Sequence, residues 1–295
     1  MDFRTDLAME RTIYPGGIGR GVNVQTTTEG DAEITWVRID TPEASKRLGK
    51  PIGAYWTMMH PELPYLLPEA RIEVAKQVAQ VLRMMLPPKG DILVLGLGNR
   101  RMTADALGDR VVSGIFVTRH IKENDEVRGV CALSPGVLGV TGVETAELAR
   151  GLVDRIKPSG VLVVDALAAM ETNHIATTIQ LTDTGIHPGS GVGNHRQAIN
   201  QETMNVPVIA LGIPLVVYAS TIVRDALKVL LSSEKDPHES AELAEQLVGN
   251  TKTDFVVTPR NIDELVAGLA DMLALAVNSA LQPSYSIDEL ANYLH

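Results

Sequence analysis

A chain of 295 residues is long enough for one large domain or two modest ones, and 45% apolar residues provide ample material for a packed core. A single cysteine excludes an internal disulfide framework, and a net charge of −10 argues against a surface that binds nucleic acid directly. The N-terminus does not read as a signal peptide, and no run approaches the ~20 apolar residues of a membrane span, so we expect a cytoplasmic protein.

The first 68 residues predict a small β-rich appendage. A hairpin signal at Gly30-Asp31 is followed by the strand-like segment Glu33–Asp40. From residue 69 onward the pattern changes to helices that alternate with short apolar strands. We therefore expect an N-terminal appendage, residues 1–68, packed on a main domain formed by residues 69–295.

The main domain predicts a three-layer α/β/α sandwich around a mostly parallel or mixed sheet, because buried strands alternate with helical patterns. The predicted strands are short, β-branched and bounded by turn residues: Ile92–Leu97, Ile115–Thr118, Val161–Val164, Ile175–Leu181 and Val208–Ile213. The predicted helices are Glu69–Leu86, Thr103–Val112, a helix to Ile156 that Thr141 and Glu144 open as a capping box, Thr221–Leu231, Ala241–Leu247 and Ile262–Leu281.

Two aspartates are predicted at the carboxyl edge of this sheet, where open α/β sheets bind their ligands. Asp165 directly follows the strand Val161–Val164, and Asp105 follows the turn Gly98-Asn99 at the start of a helix. A carboxylate behind four apolar residues is costly unless it is paired or working. An aspartate in the first turn of a helix is just as often a cap. If the two are neighbours, they can share a proton and activate water for amide hydrolysis.

The longest loop-like stretch, Asp183–Gln197, is rich in glycine and carries His187 and His195. Imidazole and carboxylate together suit zinc, nickel or iron, so these histidines and the two aspartates offer one candidate metal site. Solvated loop histidines are the ordinary alternative, and His187 is the better candidate because glycine and proline shape the chain around it.

Other features of the sequence are weaker indications of function. Asp183-Thr-Gly matches the tripeptide of all-β aspartic proteases, yet this chain alternates strands and helices, so we expect Asp183 only to line the site or hold the loop. Gly96-x-Gly98 lacks the third glycine of a dinucleotide fingerprint, and Gly189–Gly193 lacks the Lys-Ser/Thr pair of a phosphate loop. Cys131 lies in an apolar run and reads as a small core residue.

The sequence resembles the germination proteases of endospore-forming bacteria over nearly its whole length. The segments that carry the resemblance are Arg4–Ala8, Val94–Asn99, Thr103–Gly108, Ser134–Gly139, Thr141–Thr145, Val164–Ala169 and Asp183–Asn194. The core is also similar to the hydrogenase maturation proteases, in which a strand-terminal aspartate and a histidine help to hold nickel.

This resemblance implies an endopeptidase that degrades small acid-soluble spore proteins during germination, made as a zymogen and assembled as a homotetramer in the forespore or spore core. The family's two proposed catalytic aspartates fall on Asp105 and Asp165. Residues expected to shape or support the site are Gly98, Asn99, Ser134, Thr141, Glu144, Asp183 and His187. No cofactor is expected, although a divalent metal would fall on Asp105, Asp165 and His187 by analogy with the maturation proteases.

Three features depart from the family pattern. Met170 stands where an arginine usually follows Asp-Ala-Leu-Ala-Ala, Tyr218 stands where aspartate is expected, and only three residues precede Arg4. Two other functions therefore stay open at this point. One is a metal-dependent maturation-type peptidase that acts on one partner protein, and the other is a non-catalytic binding protein on the same scaffold.

Overall fold

The computed structural model describes residues 5–13, 18–121, 127–188, 196–231 and 255–292. Within these ranges the strands form one nine-stranded sheet. In chain order they are β1 (Val22–Glu29), β2 (Ala32–Ile39), β3 (Gly53–Met59), β4 (Ile92–Gly96), β5 (Val130–Leu133), β6 (Gly160–Ala169), β7 (Thr178–Thr182), β8 (Val208–Tyr218) and β9 (Val256–Val257).

The sheet is mixed, with the strand order β1-β2-β3-β7-β8-β6-β4-β5 and β9 beside β8. The strands β8, β6, β4 and β5 run parallel to one another. The remaining half is antiparallel, and the hairpin β1–β2 joins it through β3 and β7. The N-terminal strands thus continue the central sheet, and the division of the chain at residue 68 stays a prediction.

Helices cover both faces of the sheet, as predicted. They are α1 (Ala8–Ile13), α2 (Pro42–Leu48), α3 (Pro68–Met85), α4 (Leu107–Ser113), α5 (Leu138–Thr141), α6 (Thr145–Ile156), α7 (Gln201–Met204), α8 (Ala219–Leu231), α9 (Ile262–Leu281) and α10 (Ile287–Asn292). Helices α3, α4 and α9 pack on the face that carries Val94 and Leu162. Helices α6 and α7 pack on the face that carries Leu95 and Val163. Cover on both faces explains why these strands are continuously apolar.

Helix α9 is long and apolar enough to cross a membrane, but 78% of its apolar window is buried inside the protein. It packs on α3 and α4 and supplies a large part of the main hydrophobic cluster. Its apolar character is therefore that of a core helix, since a helix that is hydrophobic all round is buried in the centre of a large domain as readily as in a bilayer.

Two predicted elements are wrong. Ile115–Thr118 is not a strand, because the amide of Phe116 donates to Asn278 Oδ1 at 2.9 Å instead of to a neighbouring strand. The capping box is also wrong. Thr141 ends α5, Gly142 adopts a left-handed conformation with φ of 72°, and α6 begins only at Thr145.

The bounds of other elements differ from prediction. The helix expected at Thr103–Val112 is a 3-10 turn, Thr103–Asp105, followed by α4. A second 3-10 turn, Thr172–His174, delays β7 until Thr178. The strand beside β4 is β5, around Cys131, where the sequence predicts only core residues. The predicted helix Ala241–Leu247 lies outside the described residues.

Candidate active site

Asp165 lies inside β6 and not at its end, because this strand runs on to Ala169. The expectation that it terminates a strand is therefore wrong. Its neighbour β4, however, stops at Gly96, which pairs with Val164. Asp165 is thus the first residue of β6 beyond the end of β4. Its side chain is buried, and one carboxylate oxygen accepts a hydrogen bond from the amide of Ala166 at 2.9 Å.

Asp105 reaches the same place from the turn that follows β4. Gly98 has φ of 101°, and a Cβ atom at this position would lie 1.8 Å from the carbonyl oxygen of Asp105. Only glycine therefore allows the turn and the aspartate to approach this closely. The amide of Asn99 donates to Asp105 Oδ2 at 2.8 Å, which fixes the orientation of the carboxylate.

The two aspartates line one cavity of about 130 Å³. Glu144 and Arg196 line it as well, and their side chains form an ion pair at 3.5 Å. The structure therefore brings Asp105 and Asp165 together across 60 positions of sequence, with Gly98 and Glu144 on the walls of the cavity and Asn99 hydrogen-bonded to Asp105.

Burial dominates the electrostatics of the pair. It raises the pKa of Asp165 well above its ordinary value, and the negative charges of Asp105 and Asp6 raise it further, against a smaller opposing effect of the Ala166 amide. Burial also raises the pKa of Asp105, while the Asn99 amide lowers it. Asp105 ends a 3-10 turn before α4 begins and so does not lie in the first turn of that helix. Two such carboxyls can hold one proton between them, which suits acid–base chemistry.

Four residues predicted to support the site are not among those that line the aspartate cavity. Ser134 follows β5 and is half-buried, and Thr141 is exposed, with its hydroxyl bonded to backbone groups of its own turn. Asp183 is exposed and accepts a hydrogen bond from the amide of Ala54 at 2.8 Å, so it holds the loop to β3. His187 lines a separate cavity of about 270 Å³.

The larger cavity adjoins the first, because Pro188 lines the aspartate cavity while His187 lines the other. His187 is partly exposed. The burial of the rest of its side chain lowers its pKa, and the positive charge of Lys50 lowers the pKa further. Within the described ranges no group of three or more histidine, cysteine, aspartate or glutamate side chains is arranged to hold a metal ion. Asp105, Asp165 and His187 are therefore not brought together as a ligand set, and His195 lies outside the described residues.

The sequence patterns assign no role to the polar residues of the N-terminal segment. Asp6 and Lys50 line the larger cavity, and the fully buried Glu10 accepts hydrogen bonds from the amides of Met170 and Glu171. A usable signal was present, since acids at positions 6 and 10 flank the apolar run Leu7-Ala8-Met9, and buried acids require partners.

Comparison with known proteins identifies the family. The germination protease family model matches residues 17–251. The chain belongs to the germination protease family. It is 42% identical to the germination protease of Caldanaerobacter subterraneus subsp. tengcongensis, an alignment that covers 100% of this chain and 99% of the relative. It is 39% identical to the Clostridium perfringens (strain ATCC 13124) protein, with 99% of both chains covered, and 34% identical to the Oceanobacillus iheyensis protein, with 98% and 97% covered.

Membership of the germination protease family makes the chain a peptide hydrolase, as the resemblance implied. Among solved structures, it is similar to the nickel–iron hydrogenase maturation protease HycI from Thermococcus kodakarensis. The identity is 18% and the TM-score 0.35, with 67% of this chain and 98% of the other covered.

Proposed function

We propose that this germination protease is an endopeptidase that degrades small acid-soluble spore proteins during spore germination, with Asp105 and Asp165 as its catalytic pair. The observation that carries the proposal is the shared cavity, in which the charge of Asp105 raises the pKa of the buried Asp165. Like charges that approach in a buried site cannot both ionise readily, so one carboxyl stays protonated while the other serves as base.

The environments of the two groups suggest how the roles divide. The Asn99 amide stabilises the ionised form of Asp105, whereas Asp165 is more deeply buried. Asp105 then removes a proton from water as the water oxygen attacks the peptide carbonyl carbon, and Asp165 donates its proton to the carbonyl oxygen. Collapse of the tetrahedral intermediate breaks the C–N bond as Asp105 passes its proton to the leaving nitrogen and Asp165 takes back the proton from the former carbonyl oxygen. The pair titrates as a unit, so its apparent pKa values belong to both groups.

The cellular setting follows the family resemblance. We carry over a cytoplasmic location in the forespore or spore core, synthesis as a zymogen and assembly as a homotetramer. The substrate is the small acid-soluble spore protein itself, with no direct contact to nucleic acid or membrane. Light scattering on the purified protein checks the tetramer, since a tetramer of 31.8 kDa chains is readily told from a monomer.

The experiment that tests the catalytic pair compares Asp105→Asn and Asp165→Asn with the wild type. Each is incubated with a small acid-soluble spore protein, and the fragments are read by mass spectrometry. Asp154→Asn is the matched control, since Asp154 is 60% exposed and pairs with Arg150 on the surface of α6. We expect both site variants to lose at least about 1,000-fold in kcat/KM, within the span that catalytic groups typically contribute, and the control to retain wild-type activity.

Folded site variants that cleave at the normal rate would refute the pair. A chelator arm separates the remaining mechanisms. Cleavage that survives chelation supports a carboxylate mechanism, whereas cleavage that chelation abolishes and added metal restores would indicate a metallopeptidase. Absence of cleavage across many substrates would revive the binding-protein hypothesis.

A further inference from the structure

We propose that Asp6 is a positioning residue of the peptidase reaction, whose negative charge helps the Asp105–Asp165 pair to retain its shared proton as the pH rises. This inference rests on the proposed function and extends it to the N-terminal segment, to which the sequence patterns assign no chemistry.

The backbone of β6 shows why Asp6 lies where it does. The carbonyl oxygen of Val164 accepts from the amide of Leu97 at 2.8 Å, so the even-numbered residues of β6 direct their backbone groups to the side of β4. Because β4 has already ended, Ala168 has no neighbouring strand there. Asp6 takes that place. Its amide donates to the carbonyl oxygen of Ala168 at 2.9 Å, and its Oδ2 accepts from the Ala168 amide at 2.9 Å.

Two side chains clamp the segment from the other side. Lys50 Nζ donates to the carbonyl oxygens of Thr5 and Asp6, at 2.9 Å in each case. Gln180 Nε2 donates to the carbonyl oxygen of Asp6 at 2.9 Å, and its Oε1 accepts from the amide of Ala8 at 2.7 Å. These bonds hold the backbone of Asp6 in place beside the edge of β6.

Gln180 lies in the same row of the sheet as Asp165. Asp165 pairs with Gly212 across β6 and β8, and Gly212 pairs with Gln180 across β8 and β7. Gln180 is itself buried. The sheet therefore fixes Asp6 relative to Asp165 through its own register, and a rigid arrangement of this kind lets a nearby charge act on the pair without touching substrate.

Among the described residues, charged or titratable groups near Asp165 come from four places. Asp105 belongs to the turn after β4 and Asp6 to the N-terminal segment, and the charges of both raise the pKa of Asp165. Glu144 and Arg196 share the aspartate cavity as an ion pair, so their charges largely offset each other. Lys50 and His187 lie in the adjoining cavity. Removal of the Asp6 charge lowers the pKa of Asp165, so the pair loses its shared proton at lower pH.

The test replaces Asp6 by asparagine, which keeps an oxygen for the Ala168 amide and removes the charge. One readout is the pH dependence of kcat/KM. The other is a 13C NMR titration of the aspartate carboxyls, with the Asp165 signal assigned by its absence in Asp165→Asn. We expect the alkaline limb of the activity profile and the Asp165 titration to move together to lower pH by about 0.5–1 unit. This is less than the one to three units that a charge in close contact causes, because Asp6 is half-exposed.

Two further variants separate charge from structure. Asp6→Glu keeps the charge and disturbs the bond to Ala168, so its rate falls while its pH profile stays that of the wild type. Asp40→Asn removes an exposed acid paired with Arg38 at 3.1 Å. Asp40 follows β2, four strand positions from β6, or about 19 Å across the sheet. That distance exceeds the screening length of about 8–10 Å, so no shift is expected.

An Asp165 titration that Asp6→Asn leaves unmoved overturns the inference, as does an equal shift in Asp6→Glu. A titration that moves while the activity profile stays fixed also overturns it, because the charge then has no effect on the reaction. The proposed function is judged separately, since it stands or falls with the activity of Asp105→Asn and Asp165→Asn.

Discussion

Replacement of Glu10 by alanine tests how the N-terminal segment is anchored. Glu10 is fully buried in α1 and accepts hydrogen bonds from four groups. The Met170 amide donates to it at 2.8 Å and the Glu171 amide at 2.9 Å. His174 Nδ1 lies 2.7 Å from one carboxylate oxygen, and the hydroxyl of Thr5 bonds to the other. The carboxylate thus joins α1 to the end of β6 and to the 3-10 turn that follows.

The magnitude follows from these partners. Each buried donor left without an acceptor costs about 1–3 kcal/mol. The penalties of four neighbouring donors are not additive, because water and local relaxation satisfy some of them. We therefore expect Glu10→Ala to lower the free energy of unfolding by about 3–5 kcal/mol, a large share of the ~5–15 kcal/mol typical of a folded domain.

Urea unfolding followed by circular dichroism measures the loss. Glu73→Ala is the control, since Glu73 is 68% exposed and pairs with Lys76 at 2.7 Å on one helix. Such an exposed pair contributes about 0.2–0.5 kcal/mol. A loss below about 1 kcal/mol for Glu10→Ala would refute the reasoning, because the four donors would then not depend on this carboxylate.

Two further predictions concern the aspartate cavity. Gly98→Ala places a Cβ atom against the carbonyl oxygen of Asp105, and we expect a loss of about 100-fold in cleavage rate because small misplacements of catalytic groups cost this much. Gly151→Ala, with open space around it, is the control and should leave the rate unchanged. Asp165→Asn is expected to stabilise the fold at neutral pH. Since the pKa of Asp165 is raised in the folded protein, the carboxyl costs stability as pH rises above its ordinary value near 4. The gain measured by urea unfolding should therefore shrink toward pH 4, and a gain independent of pH would contradict this assignment.

The sequence predicts the centre of the fold because burial leaves a direct pattern there. Ile92–Leu97 and Val161–Val164 are continuously apolar, and the structure covers both of their faces with helices. Ile115–Thr118 is also mostly apolar and β-branched, but it is not a strand. Composition cannot show that the amide of Phe116 bonds to Asn278, 162 positions away. A short β-branched run indicates burial more reliably than it indicates a strand.

The candidate site was predictable only in part for the same reason. Asp105 and Asp165 each follow an apolar run, so their placement near one edge could be argued from sequence order. The contribution of Asp6 depends on where β4 ends relative to β6, and on a contact with Ala168 across 162 positions. His187 lies in a neighbouring cavity because the loop after Asp183 is held to β3, a strand from the N-terminal part of the chain.

Two of the three departures from the expected family pattern, Met170 and Tyr218, adjoin each other in the structure. Ala169 pairs with Val217 across β6 and β8, so Met170 and Tyr218 follow in the next row, and both are buried. The family resemblance implies an arginine and an aspartate at these two adjoining positions, which are side chains of opposite charge. Exchange of such a pair for two well-packed apolar side chains is commonly neutral or stabilising, whereas loss of one partner alone is costly. Neither Met170 nor Tyr218 lines the cavity of Asp105 and Asp165, so these two departures do not alter the lining of the candidate site.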